Sequence, residues 1–182
     1  MTLAEQKLGQ NIAEYVIFMW QMEDLVRAVQ FDANQLDSFI DSYTPGPAES
    51  EQEKIWFTDL IRKMRAERVE HRGHIAEVHE LLFELNYLHN TLLNIIKDKT
   101  YLNLHRKASP NIQEYLKKTG GKGSNDIEVC LTALYGLMVL RLKKEPISTE
   151  TEEAMQSFSD LLARLALQYK LMKQGEKNFS LN

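Results

Sequence analysis

Prolines and glycines are sparse in this chain and fall in tight clusters, and between the clusters apolar residues recur at helical spacing. The turn signals are Thr44-Pro45-Gly46-Pro47, Ser109-Pro110, Gly120-Gly121-Lys122-Gly123 and Glu145-Pro146; Ala48 to Ser109 holds no proline and one glycine, Gly73. Such punctuation predicts an all-α fold, a helical bundle of about four long helices plus short connecting helices. The 182 residues fit a single helical-bundle domain spanning 1–182, long enough to bury about 70% of the unfolded chain's surface.

Thr2-Leu-Ala-Glu5 reads as a capping box opening a first helix that runs to about Val29, with Tyr15-Val-Ile-Phe-Met-Trp20 apolar almost all the way round. Asp32 or Asn34 caps a short helix that the Pro-Gly-Pro turn stops. From Glu51 two apolar stripes follow, Ile55 to Met64 and Ile75 to Ile96. Between them Arg68 and His71 fall where the stripe should continue, and Gly73 weakens a helix by about 1 kcal/mol relative to alanine, so a break is expected near 71–73. An unbroken helix here would reach roughly 70 Å at 1.5 Å per residue. Residues 97–123 read as a long connection holding a short helix from Ser109-Pro110 to about Lys118. Asn125 opens a strongly apolar helix to Lys143, and Thr149-Glu-Thr-Glu152 caps the last, followed by a polar tail from Gly175 with Phe179 and Leu181 as anchors.

Charge is uneven. Residues 1–60 carry eleven acids and three bases, net −8; residues 97–122 carry seven bases and two acids, net +5. The second segment, Lys97 to Lys122 with Tyr101, His105 and Tyr115, has the makings of an anion or nucleic-acid site, but the chain as a whole is acidic and a solvated connection is the simpler reading, so nucleic acid is disfavoured as a partner. The longest uncharged run, Val129 to Leu140, is 12 residues, against roughly 20 for a bilayer span, so no membrane partner is expected. With no secretory leader at the N-terminus and one cysteine, Cys130, the chain reads as cytoplasmic.

Candidate chemistry is thin. Glu23 lies within the apolar stripe Ile12, Val16, Met19, Val26, and His89 is equally central in Val78, Leu82, Leu85, Leu92, Ile96. A carboxylate in such a position needs a partner, so Glu23 and His89 form the candidate buried polar pair, with Tyr15, Asn86 and Arg68 as weaker candidates beside it. A structural clamp is favoured over a catalytic or ligand site. Five histidines raise a metal hypothesis, yet the zinc-protease spacing fails because position 83 is Phe83, and no histidine has a glutamate three residues before it, as di-iron bundles require. Gly120-Gly-Lys-Gly123 lacks the spacing of a phosphate loop. No cofactor or metal motif is found, and the balance leans away from an enzyme.

Apolar circumference on the first helix, at Ile55-Trp-Phe57 and over 127–142 exceeds one buried face each, which favours a homodimer or an unidentified protein partner. The leading reading is therefore self-association or partner binding through apolar helix faces. The alternative is a small-molecule or metal-dependent enzyme with a pocket centred on Glu23 and His89.

The segments Asn11-Ile-Ala-Glu-Tyr15, Met19-Trp-Gln-Met-Glu-Asp24 and Glu84-Leu-Asn-Tyr-Leu-His-Asn-Thr-Leu-Leu93 resemble those of a bacterial family of about this whole length, a domain of unknown function. The resemblance implies an intracellular helical protein and supplies no mechanism.

Overall fold

In the computed structural model, residues 1–121 and 125–179 are described, with side chains through 175. Eight α-helices account for most of them: α1 (Leu3–Gln10), α2 (Ile12–Ala28), α3 (Ala33–Tyr43), α4 (Pro47–Ala66), α5 (Ala76–Thr91), α6 (Lys99–Thr119), α7 (Asp126–Leu142) and α8 (Thr149–Phe179), with a π-helical turn over Leu92–Ile96. None is long and apolar enough to cross a membrane. The chain divides into two compact units, Met1–Leu81 and the part from Leu82 onward, the boundary falling inside α5.

The expected plan of about four long helices with short connecting helices is overturned by this count. Two local causes explain the difference. The first expected helix is two, because Asn11 is extended (φ −152°) and serves both as the C-cap of α1 and as the N-cap of α2, its side chain accepting from the N–H groups of Ala13 and Glu14. The expected connection after residue 97 is instead the 21-residue α6. Asp98 caps it, accepting from Tyr101 N–H at 2.7 Å, and Gly120 closes it in the left-handed region at φ +73°. Pro110 sits inside α6 and has no N–H to offer the Arg106 carbonyl, but both residues are exposed, so water can take its place. On the other side Tyr101, Ala108 and Ile112 are fully buried, and that burial outweighs the proline. The polar tail expected from Gly175 is likewise helical, as α8 continues to Phe179. Of the residues singled out above, Lys122, Gly123, Leu181 and the side chain of Phe179 lie outside the described residues.

Local signals elsewhere fold as the sequence indicates. Thr2 and Glu5 form the reciprocal capping box, Asp32 caps α3 and Asn125 caps α7. Helix α8 is capped one residue early, by Ser148 accepting from Thr151 N–H. The interruption expected near 71–73 is the turn 67–75 between α4 and α5, with Gly73 at φ +87°.

Within the first unit α2 packs on α1 and α4, and α3 on α4, burying Val16, Val26, Ile40, Phe57 and Met64. Within the second, α6, α7 and α8 pack on one another, burying Ile112, Ile127, Leu131, Phe158 and Leu161. Large apolar side chains also remain in solvent. Phe83 and Tyr87, one turn apart on α5, are 72% and 64% exposed, and Ile95, Ile96 and Leu142 are similarly open.

Candidate metal centre

The second unit brings His89, His105 and Asp126 together. His89 lies in the last turn of α5, His105 in the second turn of α6, and Asp126 is the first residue of α7, immediately after its Asn125 cap. His105 Nε2 is 2.7 Å from Asp126 Oδ2, and His89 Nε2 is 4.0 Å from the same oxygen. The two imidazoles stand at 65° with centroids 5.2 Å apart. One ligand atom from each of the three residues falls within 4.8 Å of the others.

Burial is graded across the cluster. His89 is 4% exposed, while His105 and Asp126 are half-buried. His105 also lines a surface depression of about 520 Å³ with Leu102, Arg106, Ser109, Pro110 and Gln113. Desolvation, assisted by the neighbouring His105 and opposed by the Asp126 carboxylate, pushes the His89 pKa down to about 4, so the ring is neutral at pH 7. Neutral imidazole is the form that ligates metals.

Tyr101 sets the His89 ring. Its hydroxyl lies 2.7 Å from His89 Nδ1, and both groups are buried. The bond can run in either sense; when Nδ1–H donates to the phenol oxygen, the Nε2 lone pair faces the Asp126 side. Burial, reinforced by Cys130 and Asp126, raises the Tyr101 pKa, so the phenol stays neutral. Cys130, buried behind the site, is pushed up by the same cause and is an inert thiol.

The donor set is borderline to hard, two imidazoles and a carboxylate, which suits divalent transition metals. With metal–ligand bonds of 2.0–2.2 Å, tetrahedral ligand atoms stand about 3.3 Å apart. His105 and Asp126 would therefore open by about half an ångström, and the gap to His89 would close by somewhat more, to share an ion. The adjustment falls to His105 and Asp126, which are half-buried, because His89 is enclosed and held by Tyr101.

The residues marked in the sequence separate between the units. Glu23 belongs to the first unit, where it is fully buried; its Oε2 is 2.5 Å from His74 Nδ1 and its Oε1 accepts from Ile75 N–H at 2.9 Å. His89 belongs to the second and takes Tyr101 and the metal cluster as neighbours. Tyr15 donates to Glu77 Oε1 at 3.0 Å, within the first unit. Asn86 accepts from the Asn90 side chain through its carbonyl. Arg68 has an exposed side chain and a backbone role: at φ +60° it ends α4, while Val69 N–H bonds back to the Met64 carbonyl.

Of the other two donors, His105 stands out in the sequence only as part of the basic segment Lys97 to Lys122, and Asp126 not at all. The signal was the four-residue step from Tyr101 to His105, which puts both on one face of a helix, and it stays hidden when 97–123 is read as a connection.

The chain matches, over residues 1–176, the family described as Domain of unknown function (DUF4924). It belongs to that family. No curated protein and no solved structure matches it. Membership in DUF4924 carries no activity, so functional argument rests on the side chains.

Proposed function

We propose that the protein is metal-dependent, holding a divalent transition-metal ion at His89, His105 and Asp126. The convergence of these three donors from three different helices carries the reading. Three protein ligands leave at least one coordination position for water or a small molecule, and the half-buried state of His105 and Asp126 favours its exchange with solvent. Tyr101 serves as the outer partner that orients the buried imidazole, a role that accompanies metal-binding histidines generally. A site of this kind can polarise a bound oxygen or activate water, which supports reading the protein as a metal-dependent enzyme.

Cobalt substitution tests the reading. Purified protein stripped with chelator and titrated with Co²⁺ should develop visible d–d absorption saturating at a site that His105→Ala and Asp126→Ala each remove. Identical spectra for wild type and both variants would contradict it.

A second reading, binding of a protein partner or a second copy, draws support from the exposed Phe83 and Tyr87 on α5. Phe83→Glu should then shift the mass measured by light scattering towards a monomer, and an unchanged mass would count against self-association through that face.

A further inference from the structure

The first unit holds a second imidazole cluster that shares no residue with the triad. His74 closes the turn before α5, and His79 lies in the helix's first turn. Their rings stand 6.1 Å apart at 63°. His74 is fixed from three sides. Glu23 Oε2 holds its Nδ1 at 2.5 Å, Trp20 stacks on its face at 5.1 Å and 23°, and Ile75 N–H, the next backbone group, is bound to the other Glu23 oxygen. A carboxylate that accepts from Nδ1 selects the tautomer whose free lone pair is on Nε2. Neither His74 Nε2 nor either nitrogen of His79 makes a hydrogen bond among the described residues. His74 keeps 30% of its side chain in solvent and His79 is exposed.

The turn that carries His74 is held more firmly than a surface connection needs. The Arg27 guanidinium donates to the Val69 carbonyl at 3.0 Å and to that of Gly73, and Glu67 Oε2 accepts from Ala76 N–H at 2.5 Å. Arg27 and Glu23 stand one turn apart on α2, so one helix face pins the whole turn. The result is an imidazole oriented by a buried carboxylate, with its far nitrogen unengaged and a second unengaged imidazole beside it.

We propose that His74 and His79 form a second transition-metal site, with Glu23 as its positioning carboxylate. A buried carboxylate on the far nitrogen of a ligating histidine fixes the tautomer and raises ligand basicity. Two imidazoles on one ion, each at about 2.0–2.1 Å, place their ring centroids about 4.5 Å apart at a right angle and about 5.2 Å apart at a tetrahedral one, so the exposed His79 ring would swing about 1 Å closer than the 6.1 Å it keeps here. Imidazole donors suit zinc, copper and nickel, with water completing the shell.

Calorimetric titration of the full chain with Zn²⁺ alone tests the proposal against the triad. Wild type should bind two ions, His105→Ala and His79→Ala one each, and the double variant none. His79 is exposed, so its removal leaves the fold intact, as circular dichroism will report. On the His105→Ala background, Glu23→Gln should weaken the remaining ion by 10- to 100-fold if the carboxylate tunes His74. A single ion that His105→Ala abolishes overturns this proposal and leaves the triad standing; a single ion lost in His79→Ala but kept in His105→Ala does the reverse. Equal zinc binding by His105→Ala and the double variant also overturns it.

Discussion

Replacing Tyr101 with phenylalanine removes one oxygen from a fully buried side chain and keeps its ring. The oxygen lies 2.7 Å from His89 Nδ1, and His89 is itself nearly sealed from solvent, so the variant leaves a ring nitrogen without a partner. An orphaned buried polar group costs about 1–3 kcal/mol. In a chain of this size each kcal/mol corresponds to roughly 2–4 °C of melting temperature, so a fall of about 2–12 °C is expected. Metal affinity should fall in parallel, by about 10- to 100-fold, because the imidazole loses the partner that aims its other nitrogen. Scanning calorimetry of the stripped protein reads the first effect and competition with a chromophoric chelator the second. Wild-type melting and wild-type affinity in Tyr101→Phe would refute the assignment of Tyr101 as the group that orients His89.

Other consequences follow from named residues. Asn11→Ala deletes the acceptor for two N–H groups of α2 and should cost about 0.5–2 kcal/mol in urea unfolding; an unchanged midpoint would deny Asn11 its part in dividing α1 from α2. Pro110→Ala restores an N–H to the interior of α6 at an exposed position, where proline is up to about 3 kcal/mol less favourable than alanine, and should raise the midpoint; a fall would contradict the reading that burial of the opposite face outweighs the proline. The lowered pKa of His89 makes stability depend on pH: between about 6.5 and about 4 the unfolded chain takes up a proton that the native ring refuses, so stability is lost as pH falls through that window. With the native ring held at about 4, the loss is about 3 kcal/mol at most. Denaturation at pH 6.5, 5.5 and 4.5 should show a shallower slope in His89→Gln than in wild type, and equal slopes would contradict the assignment.

Features legible in the sequence are those fixed by near neighbours. Thr2 with Glu5, Asp32 and Asn125 announce helix starts because a short polar side chain and the backbone N–H groups it caps lie within three residues. Gly73 marks a break because its backbone takes up a positive φ that other residues resist. Asn11 was harder, since the apolar pattern continues through it and only its extended backbone shows the division. The sequence conceals α6 because Pro110 and scattered lysines outweigh Tyr101, Ala108 and Ile112, whose burial depends on α7 and α8. The buried positions of Glu23 and His89 were visible as polar residues in apolar stripes, but their partners were not. His74 is 51 residues from Glu23, while His105 and Asp126 come to His89 from two further helices; no local spacing encodes such meetings.

X-ray absorption at the zinc edge, on His79→Ala protein loaded with one equivalent of Zn²⁺ and desalted, tests the metal reading most directly. A retained ion with nitrogen and oxygen neighbours at about 2.0–2.2 Å and the outer-shell scattering of two imidazoles is the result expected for His89, His105 and Asp126. Loss of the zinc on desalting, or a shell of oxygen alone, would contradict it.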